Sequence, residues 1–134
     1  GGSVTAGNSS GLNDGAAATI IASEDAVKKY NLKPLARILS SAVVGVEPRI
    51  MGIGPVQASN KALEKAGLTM DDMDVIELNE AFAVVGLANM KILGLDSSTV
   101  NVNGGAVSLG HPLGVSGVRI LITLLNALKQ TTQN

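Results

Sequence analysis

Four short apolar runs, each followed by a segment with helical signals, are the feature of this sequence that most constrains its fold. The runs occupy residues 16–22, 35–44, 75–78 and 100–102, and their composition and length favour buried strands over helices. A strand-then-helix order repeated four times predicts a parallel or mixed sheet with right-handed crossovers. Functional sites in such sheets gather at the carboxyl ends of the strands.

The composition supports a sheet that is covered by helices. Apolar residues make up 46% of the 134 residues, yet Tyr30 and Phe82 are the only aromatic side chains. A core built from Ala, Val, Leu and Ile is typical of a sheet with both faces buried. The net charge of −1 gives no electrostatic reason to expect nucleic acid or an anionic membrane surface as a partner.

Several classes of site are excluded by the residue types present. The chain has no cysteine and a single histidine, so it can form neither a disulfide nor a zinc site of the usual kind, and no metal is expected. No signal peptide is visible, and the apolar run 120–125 is too short to cross a bilayer.

Helix boundaries are marked by local signals. Ser23 precedes two acidic residues and predicts an N-cap, Pro55 and Gly67 bracket a second helix, and Gly94 closes a helix expected at about 80–93. Thr69 and Asp72 resemble a capping pair, and the last helix is expected to begin near residue 115.

Residues 101–119 concentrate the signals for a functional site. His111 lies among five glycines, at positions 104, 105, 110, 114 and 117, which indicate tight folding of the backbone. Pro112 restricts the conformation of His111, whose imidazole could act as a general base or hydrogen-bond donor. A purely structural histidine beside a helix start is the alternative. The glycines at 114 and 117 are expected to let the following helix pack tightly under the site.

The same segment, G-G-A-V-S-L-G-H-P-L-G-V-S-G at 104–117, resembles the thiolases, and the acetyl-CoA C-acetyltransferases in particular. Three further strings agree in order: V-T-A-G-N-S-S-G-L-N-D-G-A-A-A at 4–18, V-G-V-E-P-R-I-M-G-I-G-P at 44–55 and N-E-A-F-A at 79–83. Ketoacyl synthases share a similar G-H loop but lack N-E-A-F, so the last string favours the thiolases.

The resemblance implies an α/β, thiolase-like fold, with a mixed sheet and helices on its faces, forming the C-terminal half of a layered αβαβα architecture. Residues 1–33 would end the N-terminal thiolase domain with a CoA loop, a strand and a helix. Residues 34–134 would form the C-terminal domain, truncated before its last strands.

The implied activity is that of an acyltransferase, which condenses two acetyl-CoA to acetoacetyl-CoA or cleaves 3-ketoacyl-CoA with CoA. Thiolases use two cysteines, and this chain has neither. The chain is therefore expected to be inactive alone, as one part of an enzyme. The alternative is a non-catalytic subunit that binds CoA esters or serves as a scaffold in a heteromeric complex.

By resemblance, His111 matches the histidine that activates the nucleophilic cysteine, and Asn79 matches the asparagine that holds a catalytic water. Asn79 would equally suit the N-cap of the following helix. Ser10 matches a serine that binds the pantetheine arm of CoA, and Met51 and Phe82 match the acyl pocket. A turn serine and ordinary core packing are the alternatives for these three. Glu80 is assigned no chemistry.

The resemblance also implies the ligands and the setting. Coenzyme A and acyl-CoA are expected as substrates, with no permanently bound cofactor. The remainder of a thiolase chain or a complementary subunit is the expected partner, in a homo-oligomer with no nucleic acid or membrane involved. The expected location is cytoplasmic, or mitochondrial or peroxisomal in a eukaryote.

Overall fold

Helices are the regular elements of the computed structural model, which describes residues 2–131. The α-helices are α1 (Glu24–Lys29), α2 (Gly54–Ala66), α3 (Ala83–Leu93), α4 (Ala106–Leu109) and α5 (Ser116–Thr131). Three 3₁₀ helices occupy Ala6–Asn8, Pro48–Ile53 and Met70–Asp72.

The boundaries of these helices follow the local signals in the sequence. The Ser23 hydroxyl accepts a hydrogen bond from the Ala26 amide at 3.2 Å and caps α1. Gly67 and Gly94 end α2 and α3, each with φ of 68°, a left-handed conformation that glycine adopts without strain. Thr69 and Asp72 form the expected capping box around the third 3₁₀ helix. These boundaries were predictable because each depends on residues only a few positions apart.

The predicted strands at 75–78 and 100–102 meet side by side. The Ile76 amide donates to the Thr99 carbonyl, and the Asn101 amide donates to the Ile76 carbonyl, both at 2.9 Å. This is an isolated parallel bridge between Ile76 and Val100 rather than a ladder. Two further isolated bridges join Leu12 to His111 and Ser9 to Phe82. Pairing within the described residues is thus limited to single bridges, and a mixed sheet is not confirmed.

The other two predicted strands have no strand partner within residues 2–131. At 40–46, burial alternates from one residue to the next, as in a strand with one covered face. The covered face lies on α2, where the Ser40 hydroxyl donates to the Ala62 carbonyl at 2.6 Å. Val43, on the other face, is 87% exposed, and Ile20 in the 16–22 run is 92% exposed. Both segments have the composition of strands but lack a neighbour with which to form a ladder.

The core is small and lies between the bridged segments, α3 and α5. Its apolar members are Val75, Val85, Val100, Ala106 and Ala127. Among the described residues, the buried polar side chains are Asn89, Asn101 and Ser116. The Asn89 amide donates to the Gly52 and Val85 carbonyls at 2.6 and 2.7 Å, which fastens the second 3₁₀ helix to α3. Asn101 and Ser116 belong to the site described below.

No helix within residues 2–131 combines the length and apolar character needed to cross a membrane.

Candidate active site

His111 is held at the mouth of the glycine loop by its backbone and by its ring. Its amide donates to the Gly11 carbonyl at 3.1 Å and to the Asn13 side-chain oxygen at 3.2 Å. The ring nitrogen Nδ1 lies 2.5 Å from the Ser116 hydroxyl oxygen. Two chain segments about one hundred residues apart in sequence therefore fix one imidazole. The other ring nitrogen, Nε2, faces the remainder of the site.

Asn79 faces that free nitrogen. Its side-chain nitrogen Nδ2 lies 3.4 Å from His111 Nε2, and its oxygen Oδ1 is buried with no hydrogen-bond partner in the described structure. The alternative role of Asn79 as a helix cap is wrong, because α3 begins at Ala83 and Phe82 holds the capping position. A buried amide oxygen without a partner is unfavourable, so it marks a place where a ligand or water can bind.

Asn101 fixes the backbone just before Asn79. Its side-chain oxygen accepts from the Leu78 amide at 2.8 Å, and its side-chain nitrogen donates to the Leu78 carbonyl at 2.9 Å. One amide thereby takes the place of a neighbouring strand for Leu78. The backbone of Asn101 has φ of 49°, in the left-handed region that asparagine enters more readily than most residues.

Glu80, on the other side of Asn79, belongs to the same network. Its carboxylate accepts from the Asn101 side-chain nitrogen at 2.7 Å and more weakly from the Val107 amide at 3.4 Å. It rests directly on Gly105, where an added Cβ would lie 2.1 Å from the Glu80 carboxyl carbon. Asn79 is thus flanked by two residues that Asn101 binds.

The glycines of the loop have separate roles. Gly104 and Gly110 have φ of 89° and 98°, which only glycine adopts easily, while Gly105 makes room for Glu80. Within residues 2–131, nothing lies within 4 Å of a Cβ added at Gly114 or Gly117. The tight packing expected at these two glycines is therefore absent among the described residues. The loop also contains the one-turn helix α4, which the sequence did not indicate.

Ser10 and Phe82 lie next to the segment that carries Asn79. The Ser10 amide and hydroxyl both donate to the Ala81 carbonyl, at 3.0 and 2.9 Å, and Phe82 is half-buried beside the Ser9 bridge. The Ser10 hydroxyl donates its one proton to Ala81, and its oxygen keeps lone pairs that can accept a hydrogen bond from a ligand N–H. Met51 differs from these two, since it lies on the second 3₁₀ helix and is 61% exposed.

Glu77 and Arg119 form a second polar link between the Asn79 segment and α5. The Arg119 guanidinium lies 3.7 Å from the Glu77 carboxylate, whose side chain is only 2% exposed. Neither Glu77 oxygen has a hydrogen-bond partner in the described structure. Burial raises the pKa of Glu77, Arg119 opposes that rise, and the charge of Glu80 adds to it. The carboxylate borders a cavity of about 290 Å³ that is otherwise lined by Gly117, Ile120, Leu121 and Leu124.

Comparison with known proteins assigns the chain to a family. The family model described as the C-terminal domain of thiolase matches residues 32–134. The chain belongs to the thiolase family. Within residues 2–131, no cluster of three or more side chains is suited to hold a metal ion.

Individual thiolases match almost the whole chain. The β-ketoadipyl-CoA thiolase of Acinetobacter baylyi is 60% identical over 132 residues, covering 97% of this chain and 33% of that protein. The acetyl-CoA acetyltransferase of Escherichia coli is 60% identical over 128 residues, covering 96% and 32%. The chain therefore spans about a third of the length of the curated relatives it matches.

The fold is also that of thiolases. The crystal structure of human mitochondrial 3-ketoacyl-CoA thiolase in complex with CoA matches with a TM-score of 0.93 and 60% identity, covering 96% of this chain and 33% of that chain. The thiolase-like fold expected from the sequence is confirmed at this level. The names of these relatives specify different acyl groups.

The structure brings together two residues that the sequence singled out, His111 and Asn79, and adds three that it did not. Glu80 was assigned no chemistry, and Asn101 and Ser116 were not singled out. A polar side chain within an apolar run is the available signal for Asn101, which lies between Val100 and Val102. No comparable local signal marks Ser116, which looks like any serine at a helix start.

Chemically, the arrangement offers one imidazole nitrogen and one amide group that face each other across 3.4 Å. Imidazole can exchange a proton with a reacting group, and an amide can hold a water or donate a hydrogen bond. These are the elements of general acid–base catalysis and of oxyanion stabilisation.

Proposed function

We propose that this chain supplies the histidine and asparagine of a thiolase active site, which transfers acyl groups between CoA thioesters. The reaction is the condensation of two acetyl-CoA to acetoacetyl-CoA or, in reverse, the cleavage of 3-ketoacyl-CoA by CoA. The observation that carries the proposal is the approach of Asn79 Nδ2 to His111 Nε2 at 3.4 Å, beside the unpartnered Asn79 oxygen.

In the first half-reaction, His111 acts as the base. Its Nε2 takes the proton of a cysteine thiol, and the sulfur attacks the thioester carbonyl. The carbon–sulfur bond to CoA then breaks and CoA leaves as its thiolate, while His111 keeps the proton on Nε2. Activation of a thiol by a neighbouring imidazole is a common route to a strong nucleophile at neutral pH. The products are an acyl-enzyme and free CoA.

In the second half-reaction, a base outside these residues takes a proton from an acetyl-CoA carbon, and negative charge develops on the thioester oxygen. The enolate carbon then attacks the acyl-enzyme carbonyl, the carbon–sulfur bond to the enzyme breaks, and the leaving thiolate takes up the proton held by His111. His111 Nε2–H and a water held by Asn79 are the proposed donors to that oxygen. The buried Asn79 oxygen has no partner among the described residues, so it can accept a hydrogen bond from such a water. Loss of a single preorganised donor typically lowers kcat by about 10²–10³-fold.

The acyl-accepting thiol has to come from outside these residues. The 134 residues include no cysteine, although every step above needs a sulfur nucleophile. We therefore propose that another part of a thiolase polypeptide, or a complementary subunit, supplies it. The chain alone is expected to show no thiolase turnover.

CoA and acyl-CoA are the proposed substrates. Ser10, whose oxygen retains acceptor capacity, is the candidate to bind an amide N–H of the pantetheine arm. Met51 and Phe82 are the candidates for the acyl pocket. A homo-oligomer is proposed from the same resemblance, with a cytoplasmic location, or a mitochondrial or peroxisomal one in a eukaryote.

The mixed sheet is also part of the proposal. The alternating burial at 40–46 and the exposed Val43 are what a strand would show if its second face and its edges were still uncovered. We propose that residues 16–22 and 35–44 pair with strands from the remainder of a thiolase.

The decisive experiment is a chimera with a working relative. Residues of this chain replace the matching third of the Escherichia coli acetyl-CoA acetyltransferase, and thiolysis of acetoacetyl-CoA by CoA is measured. The expected result is turnover that falls by at least about 10²-fold in His111→Ala and in Asn79→Ala. A matched control, Asn103→Ala, changes an exposed asparagine of the same loop. A folded chimera without turnover that still binds CoA would instead favour a non-catalytic CoA-ester-binding subunit.

A further inference from the structure

Ser116 is the buried residue that contacts the side of His111 facing away from Asn79. It is the first residue of α5 and is 3% exposed. Its hydroxyl oxygen lies 3.1 Å from the Pro112 carbonyl oxygen and 2.5 Å from His111 Nδ1. A single hydroxyl thereby connects the rigid Pro112 backbone to the imidazole.

The tautomer of His111 is coupled to the direction of these two contacts. A serine hydroxyl has one proton, and a carbonyl oxygen can only accept. When the Ser116 O–H donates to the Pro112 carbonyl, the hydroxyl offers a lone pair to His111 Nδ1; when it donates to Nδ1, that nitrogen has to be unprotonated. A lone pair at 2.5 Å is favourable only if Nδ1 carries a hydrogen. Neutral His111 must then have an unprotonated Nε2.

Asn79 provides an independent observation on the opposite side of the ring. The group of Asn79 that faces His111 Nε2 is its NH₂ group, at 3.4 Å, and this group can only donate. A donor pointing at Nε2 is favourable only when Nε2 has a free lone pair. The Asn79 donor therefore selects the arrangement in which Nδ1 carries the hydrogen and the Ser116 O–H donates to the Pro112 carbonyl.

We propose that Ser116 is a positioning residue that sets the tautomer of His111, with the proton on Nδ1 and the lone pair on Nε2. The importance of this tautomer for catalysis rests on the proposed function, because Nε2 is the atom that would take the thiol proton. The tautomer itself is independent of any activity. A third group that orients a catalytic base is a recurrent arrangement in nucleophilic catalysis.

The single histidine makes a direct test possible. Histidine labelled with ¹⁵N gives signals from one imidazole, and two-bond ¹H–¹⁵N correlation spectra separate the two tautomers at a pH where the ring is neutral. The spectra are recorded for the 134-residue chain and for the chimera, in which His111 is identified by the signals lost in His111→Gln. No turnover is needed, so an inactive chimera would count against the proposed function only.

The variants are Ser116→Ala and a matched control, Ser108→Ala. The Ser108 hydroxyl also donates to a preceding carbonyl, that of Gly105 at 3.0 Å, but it is not bonded to the imidazole. We expect the native chain and Ser108→Ala to show predominantly the Nδ1–H form. We expect Ser116→Ala to lose that majority in favour of the Nε2–H form, which free histidine prefers.

Two results would overturn the assignment. A native spectrum with Nε2–H as the major form, or with both forms equally populated, contradicts it without any variant. A native Nδ1–H spectrum that is unchanged in Ser116→Ala shows that some other group sets the tautomer.

Discussion

Asn101 and Glu80, which lie 21 residues apart in sequence, are joined by a hydrogen bond of 2.7 Å between side-chain amide and carboxylate. The same amide binds both backbone groups of Leu78. The segment that presents Asn79 to His111 is therefore held on both sides by one buried residue. Its conformation depends on side-chain hydrogen bonds where a regular sheet would use a strand.

Replacement of Asn101 by alanine should destabilise the protein by about 3 kcal/mol. The variant loses three side-chain hydrogen bonds. It also places alanine at φ of 49°, a left-handed backbone conformation that alanine adopts less readily than asparagine. Urea unfolding measures the change. Asn31→Ala is the matched control, because Asn31 has the same φ of 49° but no side-chain hydrogen bond within the described residues. Equal losses in both variants would show that only the backbone conformation matters.

Replacement of Gly105 by alanine should displace the Glu80 carboxylate. The new methyl group would lie 2.1 Å from the Glu80 carboxyl carbon, so one of the two has to move. We expect a loss of about 1–3 kcal/mol in the free energy of unfolding, with little or none in Gly114→Ala, where the space is open. The double variant Gly105→Ala with Glu80→Ala should lose less than the sum of the two single changes. Additive losses would indicate that the contact does not determine the cost.

Replacement of Asn79 by alanine should separate catalysis from stability. Turnover of the chimera should fall by about 10²–10³-fold, because a donor to the developing oxyanion is lost. Stability should barely change, because α3 starts at Ala83 and Asn79 does not cap it. Ser23→Ala is the contrasting variant, since Ser23 does cap α1 and its loss should cost about 1 kcal/mol. A comparable loss of stability in Asn79→Ala would restore the capping interpretation.

Replacement of Glu77 by glutamine should alter the pH dependence of stability. Burial raises the pKa of Glu77 above its ordinary value of 4.5, so the folded state holds the protonated carboxyl more tightly than the unfolded state does. The stability that this tighter binding contributes is fully present below the pKa of Glu77 in the unfolded chain. It is lost as the pH rises through the pKa of Glu77 in the folded protein. Native protein should therefore lose stability relative to Glu77→Gln as the pH rises above 4.5 and through the raised pKa of the folded state.

The measurement for Glu77 is urea unfolding of both proteins across that pH range. Glu64→Gln, at an exposed position of α2, is the surface control, and its free energy of unfolding should change with pH as that of the native protein does. If the free energy of unfolding of Glu77→Gln changed with pH in the same way, the buried carboxylate would not determine the pH dependence of stability in this range.

Local features of the fold were predictable from sequence, and those that need distant partners were only partly so. Ser23, Gly67 and Gly94 act within a few residues of their own positions, so their signals are complete in a short window. The runs at 16–22 and 35–44 have strand composition, but strand formation needs a neighbour that the described residues do not provide. The parallel bridge between Ile76 and Val100 shows the outcome where such a neighbour is present.

The candidate site shows the same division. His111 and Asn79 could be singled out because they lie in recognisable sequence strings. In the structure their side chains lie 3.4 Å apart. The hydrogen bonds made by Asn101 depend on the register of the bridge between Ile76 and Val100. The contact of Ser116 with His111 depends on the backbone conformation between Pro112 and the start of α5. Neither relationship has a spacing that a sequence pattern could reveal.

The parallel bridge between Ile76 and Val100 and the hydrogen bonds of the Asn101 amide set the register of the two segments that precede the site. In sequence, α3 lies between these two segments. The distance from Asn79 to His111 is thereby decoupled from the length of the excursion at 83–99. Insertions or deletions near the far end of α3 should be tolerated without moving either side chain. The turn that follows α3 can therefore vary in length while the reacting atoms stay where they are.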